Sequence, residues 1–315
     1  MARSLASDGR VTARRGAPVV AAWGMGVDST AMIIEWVARR QRLDVVLTAD
    51  PGAERPETYH FLPLFQHWMD DHGIEHHVVR YQPRRFKNWP PYFTILENCL
   101  TNATLPSASF NRKSCSVKWK IFPQNRWVEH WPTALAAWAR GDKVVKLIGY
   151  DASPADSRRY AHREGIEDPR YDFRYPLREW GWDRDACTAR IQAEGLPIPV
   201  KSSCVICAAM RPEEVATLPR WALRLIVLLE ARAAPRLRTV EGLWHRSTRA
   251  RPGSMTAFIR ERALLGAGEI DAIIAGAPVD LVDFQRMAAA LPLAQRPMMR
   301  DWIERFNAGV DRLSA

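Results

Sequence analysis

Val19-Val20-Ala21-Ala22-Trp23-Gly24-Met25-Gly26-Val27-Asp28-Ser29-Thr30 is the stretch on which the fold turns. Its first residues, Val19 to Trp23, form an apolar run too short for a helix. The run stops at Gly24 and gives way to a helical pattern from Ser29 to Arg40. A brief apolar run closed by a turn residue reads as a buried strand, and glycines let the backbone turn tightly into the helix. The amides of Ser29, Thr30 and Ala31 are then expected at a helix N-terminus, where unsatisfied N–H groups and the helix dipole favour a phosphate. The hydroxyls of Ser29 and Thr30 add polar groups, and Asp28 is placed to cap the helix or to help hold Mg²⁺ on the phosphates. Taken alone, the same turn is equally an ordinary strand-to-helix connection, and it lacks the Gly-Lys-Ser/Thr of a Walker loop.

Outward from this turn, strands and helices alternate. Leu43 to Thr48 reads as a second strand, Pro56 to His72 as a helix stopped by Gly73, and Glu75 to Arg80 as a third strand. Lys143 to Ile148 is a fourth, after a helix through Trp138. Short buried strands separated by helices predict an α/β fold with a doubly wound parallel sheet of Rossmann-like type, in which ligands bind beyond the carboxyl ends of the strands. Beyond Met210 the pattern is helical, with helices expected over Glu213 to Ala231, Met255 to Leu265 and Leu281 to Leu291. The expected organisation is a disordered basic tail (1–16), a nucleotide-binding domain (17–210) and a helical C-terminal region (211–315).

The chain has 315 residues, 47% of them apolar and 25% charged, enough to bury a large core. Its net charge of +10 favours polyanionic partners, although a solvated basic surface reads the same way. No segment reaches the roughly 18 continuous apolar residues of a membrane span, so a cytoplasmic, membrane-free protein is expected. Residues 82–120 carry seven lysines or arginines against one acid, Glu97, with aromatics interleaved: Phe86, Trp89, Tyr92, Phe93, Phe110 and Trp119. This stretch reads as a long irregular insertion. Either its rings stack on bases while its cations follow a phosphate backbone, or the rings pack inward and the charges face water.

Asp50-Pro51-Gly52-Ala53-Glu54-Arg55-Pro56-Glu57-Thr58-Tyr59 follows the second strand. Asp50 is placed to meet a ribose hydroxyl or a metal, and Glu57 complements a helix N-terminus. After the fourth strand come Gly149-Tyr150-Asp151 and Ser157-Arg158-Arg159-Tyr160, where arginines can pair with oxyanions. Tyr175-Pro176-Leu177-Arg178-Glu179-Trp180 closes the series. Five cysteines are too few for a disulfide framework. Cys204-Val205-Ile206-Cys207 is a C-x-x-C pair, and Cys115 lies earlier, beside Ser114. Clustered thiolates suit iron–sulfur clusters or Zn²⁺, while a redox dithiol or plain core cysteines fit the same spacing. Cys99 and Cys187 read as structural.

Together these motifs, in this order over roughly residues 18–210, resemble the phosphoadenylyl-sulfate (PAPS) reductase family of PP-loop ATP pyrophosphatases, which have the adenine nucleotide alpha hydrolase-like fold. Gly24 and Met25 stand where the PP-loop Ser-Gly-Gly-x-Asp-Ser has its serine and first glycine; Gly26, Asp28 and Ser29 match it. The segment from Asp50 to Tyr59 is similar to Asp-Thr-Gly-x-x-x-Pro-Glu-Thr-Tyr, with Pro51 for the threonine. The resemblance implies that Gly24, Gly26, Ser29, Thr30, Asp50 and Glu57 bind ATP or a related adenine nucleotide with Mg²⁺. Asp28, Ser29, Arg158 and Arg159 would be catalytic. Cluster-bearing relatives imply a [4Fe–4S] cluster on Cys115, Cys204 and Cys207 with one iron open, and zinc with a fourth ligand is the rival. The implied activity is adenylation followed by sulfur transfer to tRNA, DNA or a nucleotide, served by a sulfur or electron donor protein. A reductase of the sulfated nucleotide is the alternative. It would need the family's C-terminal nucleophile, and no cysteine follows Cys207. A non-catalytic nucleic-acid-binding module is the third reading.

Overall fold

The computed structural model describes residues 16–85, 89–112 and 114–308. The basic tail before residue 16, together with Phe86, Lys87 and Lys113 of the basic-aromatic stretch, lies outside the described residues.

The architecture is α/β. Strands β1 (Val19–Trp23), β2 (Val45–Ala49), β3 (His76–Val79), β4 (Val144–Ile148) and β5 (Tyr171–Arg174) form a single parallel sheet in the order β3-β2-β1-β4-β5. The register pairs Val20 with Val45 and Trp23 with Thr48 on one side of β1, and Val19 with Val145 and Ala22 with Ile148 on the other. Val20, Ala21, Val45, Val46, Leu47, Val144 and Leu147 are all sealed from solvent. Strands buried on both faces carry continuous apolar runs, and for that reason β1, β2 and β4 were legible as strands. Strand β5 was not expected. Tyr171-Asp172-Phe173-Arg174 alternates aromatic and charged residues over only four positions, the signature of a half-buried edge strand too short to stand out.

The strand order proceeds from β1 through β2 to β3 and then returns through β4 to β5. The direction of winding therefore reverses between β1 and β4, and in open parallel sheets that reversal opens a crevice beyond the strand ends. Helix α1 (Val27–Ala38) leaves β1 there, two residues earlier than the sequence pattern suggests. Gly26, in extended backbone, is its N-cap. Helix α2 is Pro56–Asp71.

The chain divides into two compact units. One draws on residues 1–48, 64–77 and 126–199, the other on 49–63, 78–125 and 200–315. In the first, β1, β4 and the helices Val27–Ala38 and Arg184–Ala193 carry the core, with Trp23 against Phe65 at 4.7 Å between ring centres. In the second, the helix Arg220–Ala233 is central. Ala222, Leu223, Leu225, Ile226, Val227, Leu228 and Leu229 are all buried, and the run from Leu225 to Leu229 covers more than a full turn, so this stretch of the helix is packed on every side.

Residues 82–120 are irregular only in part: among the described residues, 82–85, 89–94, 103–106 and 111–112 have no regular structure, whereas the rest has. They hold helix α3 (Ile95–Asn102), a 3-10 turn over Ser107–Phe110 and helical turns from Ser114 onward. The lone acid Glu97 serves this helix. The Thr94 hydroxyl accepts from the Glu97 amide at 3.1 Å, and the Glu97 carboxylate accepts from the Phe93 and Thr94 amides at 2.6 and 3.0 Å. The helix expected over Glu213 to Ala231 is two, Pro212–Ala216 and Arg220–Ala233, because Pro219 cannot continue the first. Among the described residues, no helix is long and apolar enough to cross a membrane.

Candidate functional site

The reversal point of the sheet is built from glycines and carboxylates. Between β1 and α1, Met25 adopts a left-handed backbone with φ of 58° while its side chain is buried. Because α1 begins at Val27, its first-turn amides belong to Val27, Asp28 and Ser29 rather than to Ser29, Thr30 and Ala31. The Thr30 amide already donates to the Gly26 carbonyl at 3.1 Å.

The two hydroxyls hold the loop itself. Ser29 Oγ accepts from the Gly24 amide at 3.0 Å and donates to the Gly26 carbonyl at 3.3 Å. Thr30 Oγ1 accepts from Trp23 Nε1 at 2.9 Å and donates to the same carbonyl at 2.8 Å. Thr30 is wholly buried, so its contribution is to fix the turn. The first-turn amides of Val27, Asp28 and Ser29 are the ones that α1 itself leaves without an intrahelical acceptor.

Strand β4 closes the other side. A β-carbon on Gly149 would fall 2.8 Å from the Ser29 Cα and 2.9 Å from its amide nitrogen, so only glycine lets the strand end pass against the first turn of α1. Immediately after it, Asp151 and Asp156 are buried, and their carboxylates gather with that of Asp28. One oxygen from each of the three lies within 4.8 Å of the others. Asp151 accepts from the Ser153 amide at 3.0 Å, and Asp156 from the Asp151 amide at 3.3 Å and from Arg159 at 2.9 Å. Arg184 stands 3.1 Å from Asp28. Burial pushes the Asp28 carboxyl up to about 6. Arg184 pulls against that, while Asp151 and Asp156 add to it. Three oxygens of hard carboxylates at this spacing match the ligand preference of Mg²⁺.

Arg159 is tied to Asp156, and Arg158 is exposed on the same helix, Pro154–Ala161. Sequence reasoning missed Arg178. It donates to the Asp151 carbonyl and to Ser157 Oγ, both at 3.0 Å, and its guanidinium lies 4.3 Å from the centre of the Tyr160 ring. It pins the segment after β5 to the acidic loop.

No protein-family model matches the chain, and no curated protein matches it.

The remaining expected residues lie in the second unit. Asp50 is buried, and its carboxylate is fully used. One oxygen accepts from the Gly52 amide and the Tyr59 hydroxyl, both at 2.7 Å; the other accepts from Arg80 at 2.9 and 2.7 Å. It organises its own loop. Glu57 lies in the first turn of α2 and pairs with Arg55 at 3.3 Å. Burial raises its carboxyl, but its own backbone amide and Arg55 outweigh that and hold it below the usual range.

Cys204 and Cys207 share a tight turn, with the Cys207 amide donating to the Cys204 carbonyl at 3.0 Å. Burial, first of all, pushes both thiols up, and each also feels the other cysteine of the pair or Cys115 as a like charge. The Cys115 amide is held by Ser107 Oγ at 2.7 Å. Cys115 thus lies near enough to Cys204 and Cys207 for each of the pair to feel it. Among the described residues, their sulfurs do not all close to within 4.8 Å of one another. Cys187 and Cys99 are buried; Cys99 is a neighbour of Cys115, which the sequence did not disclose. A cavity of about 500 Å³ opens beside Cys115, lined by Cys99, Arg112, Ser114, Lys118 and Trp119 among others.

Proposed function

We propose that this chain is a PP-loop type enzyme of the PAPS-reductase-like, adenine nucleotide alpha hydrolase-like kind. It binds ATP at the turn between β1 and α1, adenylates an acceptor oxygen, and transfers sulfur to that position on a nucleic acid or nucleotide. The observation that carries the reading is the reversal point between β1 and β4, where the N-terminus of α1 and three clustered carboxylates come together. Amides and helix dipole attract phosphate, and the acids attract its metal.

The Val27, Asp28 and Ser29 amides would take the phosphate oxygens, and Asp28, Asp151 and Asp156 would hold Mg²⁺. Bound there, Mg²⁺ would supply charge neutralisation for the departing pyrophosphate. Arg158, exposed beside this loop, would steady the departing oxyanion, while Arg159 holds Asp156 in place. Thr30, Asp50 and Glu57 are left out of the ligand set. Their polar atoms already serve the loop, an internal hydrogen-bond network and a helix end.

In the second unit, Cys115, Cys204 and Cys207 would hold a [4Fe–4S] cluster, and the chemistry it would supply there is delivery of sulfide-level sulfur. The basic charge of the chain supports a polyanionic acceptor.

Calorimetry with ATP and Mg²⁺, followed by a pyrophosphate-release assay on tRNA, DNA and free nucleotides, tests the proposal. Saturable binding that is lost in Asp151→Asn and Asp156→Asn variants is the expected result. Absence of binding by any adenine nucleotide, with or without Mg²⁺, would end it.

A further inference from the structure

Glu54 is the least accounted-for charged group in the second unit. Its side chain has no solvent exposure. One carboxylate oxygen, Oε1, accepts from Lys120 Nζ at 2.9 Å, while Oε2 is sealed from solvent without a hydrogen-bond partner. Burying a carboxylate oxygen unsatisfied is costly, and folds that keep one generally use it.

The backbone explains where that oxygen is. Glu54 and Cys204 form an isolated antiparallel bridge. The flanking bonds are Arg55 N–H to the Ser203 carbonyl at 3.1 Å and Val205 N–H to the Ala53 carbonyl at 2.7 Å. This is the non-hydrogen-bonded kind of pair, in which facing side chains approach most closely, with β-carbons about 5 Å apart. The Glu54 side chain is therefore held alongside the Cys204 thiol. The electrostatics agree: among charged neighbours Glu54 acts most strongly on Cys204, ahead of Lys120, Cys207 and Cys115, and it acts on Cys207 as well. Cys99, the other candidate for completing the set, neighbours Cys115 and Lys118 instead.

We infer that Glu54 is the fourth protein ligand of the metal centre on Cys115, Cys204 and Cys207, its unpaired Oε2 occupying the iron that the three thiolates leave open. The inference rests on the proposed cluster. Lys120 occupies Oε1 and leaves Oε2 as the oxygen free to act as a ligand. A carboxylate is a harder and weaker ligand for iron than a thiolate, so it keeps the fourth iron in place yet can yield to an incoming sulfide or acceptor.

The test is anaerobic reconstitution of the full chain with ⁵⁷Fe and sulfide, read by metal content, Mössbauer and EPR spectroscopy. The parent protein is expected to hold about four irons, one of them spectroscopically distinct. Glu54→Gln keeps the shape and the bond from Lys120 but removes the ligand. It should lose about one iron in four on mild oxidation and give the EPR signal of a three-iron cluster. Glu54→Cys restores a ligand and should retain all the iron, with the distinct site shifted toward an all-thiolate spectrum. A Glu54→Gln protein whose iron content and distinct site match the parent overturns the assignment while leaving the cluster standing. If Glu54→Gln does not fold, an unshifted distinct site in Glu54→Cys overturns it equally. A parent protein that binds no iron removes the cluster and, with it, the role of Glu54.

Discussion

Gly149, at the end of β4, lies so close to Ser29 on α1 that a β-carbon added to it would sit 2.8 Å from the Ser29 Cα. The obstacle is backbone, which cannot swing aside as a side chain can. Gly149→Ala must therefore push β4 away from the first turn of α1, and overpacking of this kind costs about 1–3 kcal/mol. The displaced turn is the one proposed to bind phosphate through its amides. The variant should melt lower than the parent and bind ATP at least about tenfold more weakly, one factor of ten for each 1.4 kcal/mol. Thermal unfolding and calorimetry read both; unchanged ATP affinity would place the nucleotide elsewhere.

Asp28 makes a pH-dependent prediction with a definite sign. Its carboxyl is raised from 3.8 to about 6, by burial before any other cause. Between those two values the folded state binds the proton more tightly than the unfolded one. Stability therefore falls as pH rises from about 4 to about 6, and the penalty persists above that. Asp28→Asn removes the penalty. Without Mg²⁺ at pH 7 it should be more stable than the parent by roughly 1–3 kcal/mol, and at pH 4 the advantage should vanish. Saturating Mg²⁺ stabilises the parent alone and should narrow the difference. Denaturant titrations at several pH values, with and without Mg²⁺, provide the check. A variant that is less stable at pH 7 and insensitive to pH would contradict the strained acidic cluster.

Glu230 is a buried acid whose partners are all within the fold. Buried in the central helix Arg220–Ala233, its carboxylate accepts from the Leu243, Met255 and Thr256 amides at 2.7, 2.9 and 2.8 Å, and from Ser254 Oγ at 2.6 Å. Four donors converge on an acceptor-only group. Glu230→Gln replaces one acceptor oxygen with a donor that faces N–H groups, leaving buried polar groups unsatisfied. A loss of about 2–4 kcal/mol in chemical denaturation is expected. Because Glu230 touches none of the proposed ligand residues, ATP affinity at a temperature where the variant is folded should equal that of the parent.

The parts of this fold that could be read from the sequence are those with a one-dimensional physical signature. Buried parallel strands such as Val144–Ile148 are apolar runs, whereas the Thr94–Glu97 capping box, though also a spacing, was passed over in a stretch read as irregular. Strand β5 escaped notice because an edge strand of four alternating residues resembles a loop. The acidic group was half legible: Asp28 and Asp151 follow strand ends, but Asp156 joins them only through the turn set by Ser153. Asp50 shows the opposite failure. Its position after β2 suggested a ligand, yet Gly52, Tyr59 and Arg80 converge on it in space, and only coordinates could show that its acceptor sites were taken. Glu54 was invisible for a related reason, since its partner Cys204 is 150 residues away and reaches it through a bridge no sequence pattern marks.

Met25 gives the sharpest stability test, because two opposing terms can be separated by two substitutions. It holds φ at 58°, a conformation that costs a residue with a β-carbon about 1–2 kcal/mol and costs glycine almost nothing. Its side chain is buried to 1% exposure, and truncating a buried methionine costs about 2–5 kcal/mol. Met25→Ala forfeits the packing and keeps the backbone strain. Met25→Gly forfeits the same packing but relieves the strain. In an ordinary helix or strand interior the glycine variant is the weaker of such a pair by about 0.5–1 kcal/mol. Here the order should invert, with the parent most stable, Met25→Gly next and Met25→Ala last. Denaturation midpoints decide it. An alanine variant as stable as the glycine variant would mean that residue 25 does not hold a left-handed backbone in solution, and the description of the turn around it would have to be redrawn.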